Sequence, residues 1–151
     1  MTLDERNDEV NKALEARFSQ LNAALEAHEA KLKAMMVPSD TWVMYRSYDD
    51  GDNYNGPMGE YQFYIGMVKL RGAWRLCLRK GYECYIDDER SNLGEIRPVV
   101  EASIEERIEV AQHIDKLREG IVQAKEKLVP HVEEAISMLA KSLEGHGETG
   151  R

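Results

Sequence analysis

Two cysteines, four histidines and one acidic run supply the residue types from which catalysis or metal binding would be built. Cys77 sits between Arg75 and Arg79, cations that favour a thiolate and lower a thiol pKa. No histidine lies in the same stretch to serve as its base, so the nucleophile, base and orienter of a cysteine enzyme are not assembled. His28, His113, His131 and His146 are scattered, and none stands one helical turn from another histidine or a cysteine, so no zinc spacing is present. Asp49, Asp50 and Asp52, with Asn53 and Asn55, have the composition of a calcium loop without its spacing. Counting Asp50 as position one, Tyr54 falls at five, Asn55 replaces the glycine at six, and Tyr61 stands where the bidentate acid belongs. Gly56-Pro57-Met58-Gly59 leads into a strand rather than a helix, and its proline removes a donor that a phosphate cradle needs. The sequence therefore assigns no catalytic residue, no metal and no cofactor.

A second constellation is electrostatic. Between Tyr61 and Tyr82 there are five bases, Lys69, Arg71, Arg75, Arg79 and Lys80, and no acid. Strand alternation places Arg75 and Arg79 on the face away from the core, with Tyr64 as their neighbour across the ladder. An arginine beside a tyrosine can pair with a carboxylate or phosphate while stacking on the ring. The same residues read more simply as a solvated face, or as one paired with acidic helices, because surface charge runs usually are just that. Tyr45, Tyr61, Tyr64 and Trp74 invite comparison with RNA-binding sheets, but the aromatic and glycine pattern of those modules is missing.

The elements that position these residues are legible from periodicity. From Asp4 to Met36 there is no proline or glycine, and the pattern predicts a helix over 3–36. Thr2 and Glu5 stand at capping-box spacing, and Pro38 supplies the stop. Asn11, Leu14, Phe18, Leu21, Leu25, His28, Leu32 and Met35 alternate at three and four, an a/d seam over about three heptads. His28 on that seam reads as a tolerated polar position or as a group whose protonation would loosen helix pairing.

Residues 41–100 carry both tryptophans and all seven tyrosines and predict a β-meander. Strands are expected over 42–48, 61–70, 73–79 and 82–86. A two-residue Arg71-Gly72 turn sets Met67 against Leu76 and Ile65 against Leu78, with Phe63 and Trp74 on the same inward face. A three-residue turn at 79–81 then turns Tyr82, Cys84 and Ile86 inward, leaves Cys77 on the exposed face and makes no disulfide.

Ser103 and Glu106 mark the start of a second long helix, expected over 103–144. Pro130 predicts a kink or break, beyond which Val132, Ile136, Leu139 and Leu143 resume the stripe, and 145–151 reads as a disordered tail.

The fold class is thus α+β in one domain over 1–144: a long helix, an antiparallel meander of three or four strands, and a second long helix. The two helices are expected to pack as an antiparallel hairpin or coiled coil. A chain of 151 residues buries roughly 70% of its unfolded surface, enough for a core without metals or disulfides. Its formal charge of −8 opposes approach to nucleic acid or anionic lipid. No run approaches the ~18 apolar residues of a membrane span, and the start at Met1 lacks a secretory signal. A cytoplasmic protein with free thiols is the expectation.

These features point to a non-enzymatic interaction or assembly protein. It would act through coiled-coil-like helices and a β-platform, most simply as a homodimer with a further protein partner. Its binding surface is expected to be either the helix seam of Leu14, Phe18, Leu21, Leu25, His28 and Leu32 or the sheet face of Arg75, Arg79, Tyr64, Lys69 and Arg71. The competing class is a small acidic inhibitor or nucleic-acid mimic that binds a basic protein, motivated by 11 acids against seven bases from Glu101 onward.

Overall fold

The structure, a computed structural model, describes residues 1–51 and 56–149, the last four by backbone alone. Residues 52–55 of the acidic run, and the final two of the expected tail, lie outside the described residues.

Helix α1 (Leu3–Ala34) opens with the expected capping box. The Glu5 N–H donates to Thr2 Oγ1 at 3.1 Å and the Thr2 N–H to the Glu5 carboxylate at 2.8 Å. The helix stops where Met36 takes a left-handed φ of 60°, and Val37 beyond it is buried. Strands β1 (Thr41–Asp49), β2 (Gly59–Leu70) and β3 (Ala73–Cys84) pair antiparallel in sequence order. Two short pieces, β4 (Asn92–Leu93) and β5 (Arg97–Pro98), add to the far edge of β3, and helix α2 (Ile104–Thr149) closes the chain. The protein is therefore a mixed α+β fold in which one long helix precedes and another follows an antiparallel meander in the chain.

Register follows the hydrophobic alternation. Arg71 and Gly72 are both left-handed, at φ 50° and 83°, the conformation that a tight hairpin turn between twisted strands demands. Met67 consequently faces Leu76, Ile65 faces Leu78 and Lys69 faces Trp74, as the sequence requires.

The expected turn at 79–81 does not form. Strand β3 runs straight through Gly81, which faces Gln62, and pairs with β2 as far as Cys84 opposite Gly59. β2 starts at Gly59, earlier than the polarity pattern suggests, so every residue of β3 finds a partner. Gly81 sits in the strand interior because β4 approaches it closely: a Cβ there would stand 3.1 Å from Leu93 Cδ2 and 3.3 Å from the Asn92 carbonyl.

Merging the third and fourth expected strands into one reverses the relation of the two helices. An even number of full strands between them would leave them antiparallel; three leave them pointing the same way. Asn22 of α1 meets Arg107 of α2 at 2.7 Å, and further along both helices the Lys125 ammonium donates to the Met35 carbonyl. The helices thus lie side by side in one direction, and the expected antiparallel hairpin is not made.

Both helices cover the same face of the sheet. Leu25 and Leu32 of α1 and Val110, Ile114, Leu117 and Ile121 of α2 bury Ile65, Met67, Leu76 and Leu78. Gly120 marks the closest approach of α2 to β1, since a Cβ there would lie 2.5 Å from Val43 Cγ1. The start of α2 is fixed by the Ser103/Glu106 capping box, with both hydrogen bonds at 3.2 Å, and by Arg97, whose guanidinium meets Glu106 at 2.5 Å.

α2 continues across Pro130 without a break. The proline ring removes one backbone donor, but the neighbouring bonds carry the helix on. It also continues to Thr149 through most of the stretch expected to be disordered, because glycines there cost about 1 kcal/mol each without removing a hydrogen bond. At 46 residues α2 is about 69 Å long, far longer than the sheet beneath it.

Candidate interaction surface

The structure takes the basic sheet face apart. Arg75 leans to the sheet edge, its Nε 3.6 Å from the Glu29 carboxylate of α1. Arg79 and Tyr64 face each other across the ladder as expected, and with Trp42 and Leu93 they line a shallow groove. Their polar groups are already engaged. Arg79 Nε donates to the Gly94 carbonyl at 3.1 Å, its guanidinium lies 5.3 Å from the Trp42 ring centre, and the Tyr64 hydroxyl donates to Gln62 at 2.6 Å. Burial pushes the Tyr64 hydroxyl pKa upward. Lys69 and Arg71 are exposed at the hairpin end, away from this pair. The five bases do not converge on one anion.

Cys77 is fully buried rather than exposed. Burial pushes its thiol up to about 11, a shift that the nearby Arg75 opposes only in part. The cover comes from tertiary packing: the Trp42 ring lies against Gly66, the residue that pairs with Cys77, and Pro98 pairs with Cys77 from the other side. Cys84 is buried too, and both thiols are free, seven residues apart on the single strand β3.

A row of aromatic rings escaped the sequence reading. Tyr48 and Tyr61 have centroids 5.3 Å apart, Tyr61 and Tyr82 5.0 Å, and Tyr48 and Phe63 5.8 Å. Two cations sit on them, Arg46 at 4.2 Å from the Phe63 ring centre and Lys80 at 4.7 Å from that of Tyr61. A bulge between Met44 and Arg46 sets Arg46 opposite Phe63, and no local signal in the sequence announces it. Arg46 also reaches Glu109 at 3.5 Å. The Tyr82 hydroxyl donates to Asp50 at 2.7 Å, which holds its pKa up at about 12. The groups satisfy one another at the end of the sheet where the last residues of β1 and β3 meet the start of β2.

The helices divide differently from expectation. Along the α1 seam, Leu25 and Leu32 are buried against the chain's own sheet, and Leu21 packs beside them. Phe18 and His28 are half-buried, and Leu14 is exposed. The His28 Nδ1 is buried with no hydrogen-bond partner. From Leu21 onward this seam is occupied within one chain, so it is not available as the interface the sequence suggested.

On α2 the reverse holds. Every residue from 126 to 145 is exposed, yet Leu128, Val129, Val132, Ile136, Leu139 and Leu143 recur at helical spacing and form one apolar stripe. At 100° per residue this stripe lies on the same side of α2 as Val110, Ile114, Leu117 and Ile121. It is the core-facing side of the helix continued past the end of the sheet.

Among the described residues no cluster of His, Cys, Asp or Glu is gathered to hold a metal, and no helix is long and apolar enough to cross a membrane. No protein-family model, curated protein or solved structure matches this chain.

Proposed function

We propose that the protein is a non-enzymatic assembly module whose working surface is the C-terminal arm of α2, residues 126–145. The observation that carries this reading is the stripe from Leu128 to Leu143, six large apolar side chains exposed in a contiguous row. Single exposed leucines are ordinary, whereas a continuous apolar row on a surface helix marks a place where another macromolecule sits. The acidic-mimic reading has less support. Glu109 is paired with Arg46 and Glu106 with Arg97, so two acids at the start of α2 are engaged within the chain.

The test is photo-crosslinking in cells that make the protein. A photoreactive leucine analogue at Leu139 should give a discrete protein adduct, and a photoreactive residue in place of Lys116, exposed on the body, should give none. An arm that yields no adduct, or only the diffuse background of the control, refutes the reading.

A further inference from the structure

We infer that the occupant of the arm is a second copy of this chain, paired arm to arm in antiparallel sense about a two-fold axis near Ser137 and Met138. This rests on the arm being the interaction surface and names its partner.

The direction follows from where the stripe points. Because it continues the side of α2 that packs on the sheet, a partner helix lying on it occupies the layer that the sheet occupies further back. A parallel partner would bring its own body to the same end, into the space this chain's sheet already fills. An antiparallel partner carries its body to the far end of the arm, about 30 Å away for 20 residues, and its tip ends against this chain's sheet. Each arm then completes the missing layer beneath the other.

The sequence of the arm suits self-pairing. Val129, Ile136 and Leu143 fall on one heptad position and Val132 and Leu139 on the complementary one. An antiparallel pair sets Val132 against the second copy's Leu143 and Ile136 against its Leu139, four apolar layers symmetric about the axis. Among the flanking positions Ala135, Ala140 and Ser142 are small, which lets two helices approach closely; Glu133 borders the stripe beside Val129 and Val132, and no charged residue falls within the stripe itself. Complete burial of all six exposed apolar side chains would remove at most roughly 600 Å² per arm, or about 1,200 Å² for the pair, the lower bound of specific interfaces. A reversible, concentration-dependent dimer is the expected consequence.

The experiment combines mass and linkage on the full chain. Light scattering between 1 and about 200 µM should show monomer passing to dimer, and Ile136→Asp should hold the protein monomeric with unchanged helical circular dichroism. Under mild oxidation the double variant V132C/L143C should give disulfide-linked dimers, while V132C and L143C alone should not. Cys77 and Cys84 are buried and give no background. Linkage of each single variant to itself would show a parallel pair and overturn the proposal, as would a monomer at every concentration. A monomer whose arm still crosslinks to a different protein overturns self-pairing while leaving the arm as the interaction surface.

Discussion

The carboxylate of Glu29 accepts the backbone N–H of Leu76 at 2.8 Å, joining the C-terminal end of α1 to the edge of β3 across 47 positions of sequence. β5 pairs with β3 only at Cys77 and Leu78, so Leu76 lies just past the covered stretch of that edge. α1 takes over there, and Arg75 and Lys33 hold the same carboxylate at 3.6 and 3.8 Å. An edge that would otherwise recruit a foreign strand is closed by a side chain.

Glu29→Ala leaves that N–H without an acceptor and should cost about 1–3 kcal/mol. The check is a lower urea midpoint at unchanged slope, together with faster amide exchange at Leu76. Glu29→Gln keeps an acceptor oxygen and should lose less. Leu76 exchange that is unaltered in the alanine variant would show the contact to be incidental.

Gly66 is the second sensitive point. A Cβ there would stand 2.6 Å from Trp42 Cε3 and 2.7 Å from the Thr41 carbonyl. The carbonyl belongs to the neighbouring strand and cannot step aside like a side chain. Gly66→Ala should therefore destabilise by about 1–3 kcal/mol, and by displacing Trp42 it should open Cys77 to thiol reagents that leave the native protein untouched. A variant of native stability, with Cys77 still protected, would contradict the packing described.

Acid sensitivity should centre on Glu106. The Arg97 hydrogen bond first, then the Ser103 hydrogen bonds, hold its carboxyl below the ordinary range against the opposing effect of burial. Because the folded value is depressed, the unfolded chain takes up the proton first. The stabilisation is fully present above the ordinary carboxylate value of about 4.3 and is lost as pH falls through the depressed one. Glu106→Gln should be less stable than the parent at pH 7 and should lose less on acidification. Parallel stability profiles between pH 6 and 3 would exclude Glu106 as a source of the dependence.

Both helix starts were legible in the sequence because a capping box is local: Thr2 with Glu5, and Ser103 with Glu106, need only four residues each to be recognised. The register around Ile65 and Met67 was legible because a one-residue slip would turn the whole inward face outward. What local reasoning missed were long-range effects. Gly81 looks like a turn until β4 is seen lying against it, and that misreading also inverted the direction of one helix relative to the other. Cys77 and Arg79 look exposed until Trp42 is placed over Gly66. The α2 stripe was visible as periodicity, but that its last part covers nothing depends on where the sheet ends, a property of the assembled fold.

The division between occupied and open apolar surface can be tested with two leucines. Leu32 is fully buried, whereas Leu139 is 67% exposed. Leu32→Ala removes packed core atoms and should cost about 2–5 kcal/mol at any protein concentration. Leu139→Ala removes no core contact and should change the stability of the monomer by no more than about 0.5 kcal/mol. If two arms pair, association stabilises the folded chain by mass action, so the parent's thermal midpoint should rise with protein concentration. Leu139→Ala should flatten that rise, and Leu32→Ala should shift the whole curve down without flattening it. A parent midpoint independent of concentration would mean that the arm finds no partner in a second copy.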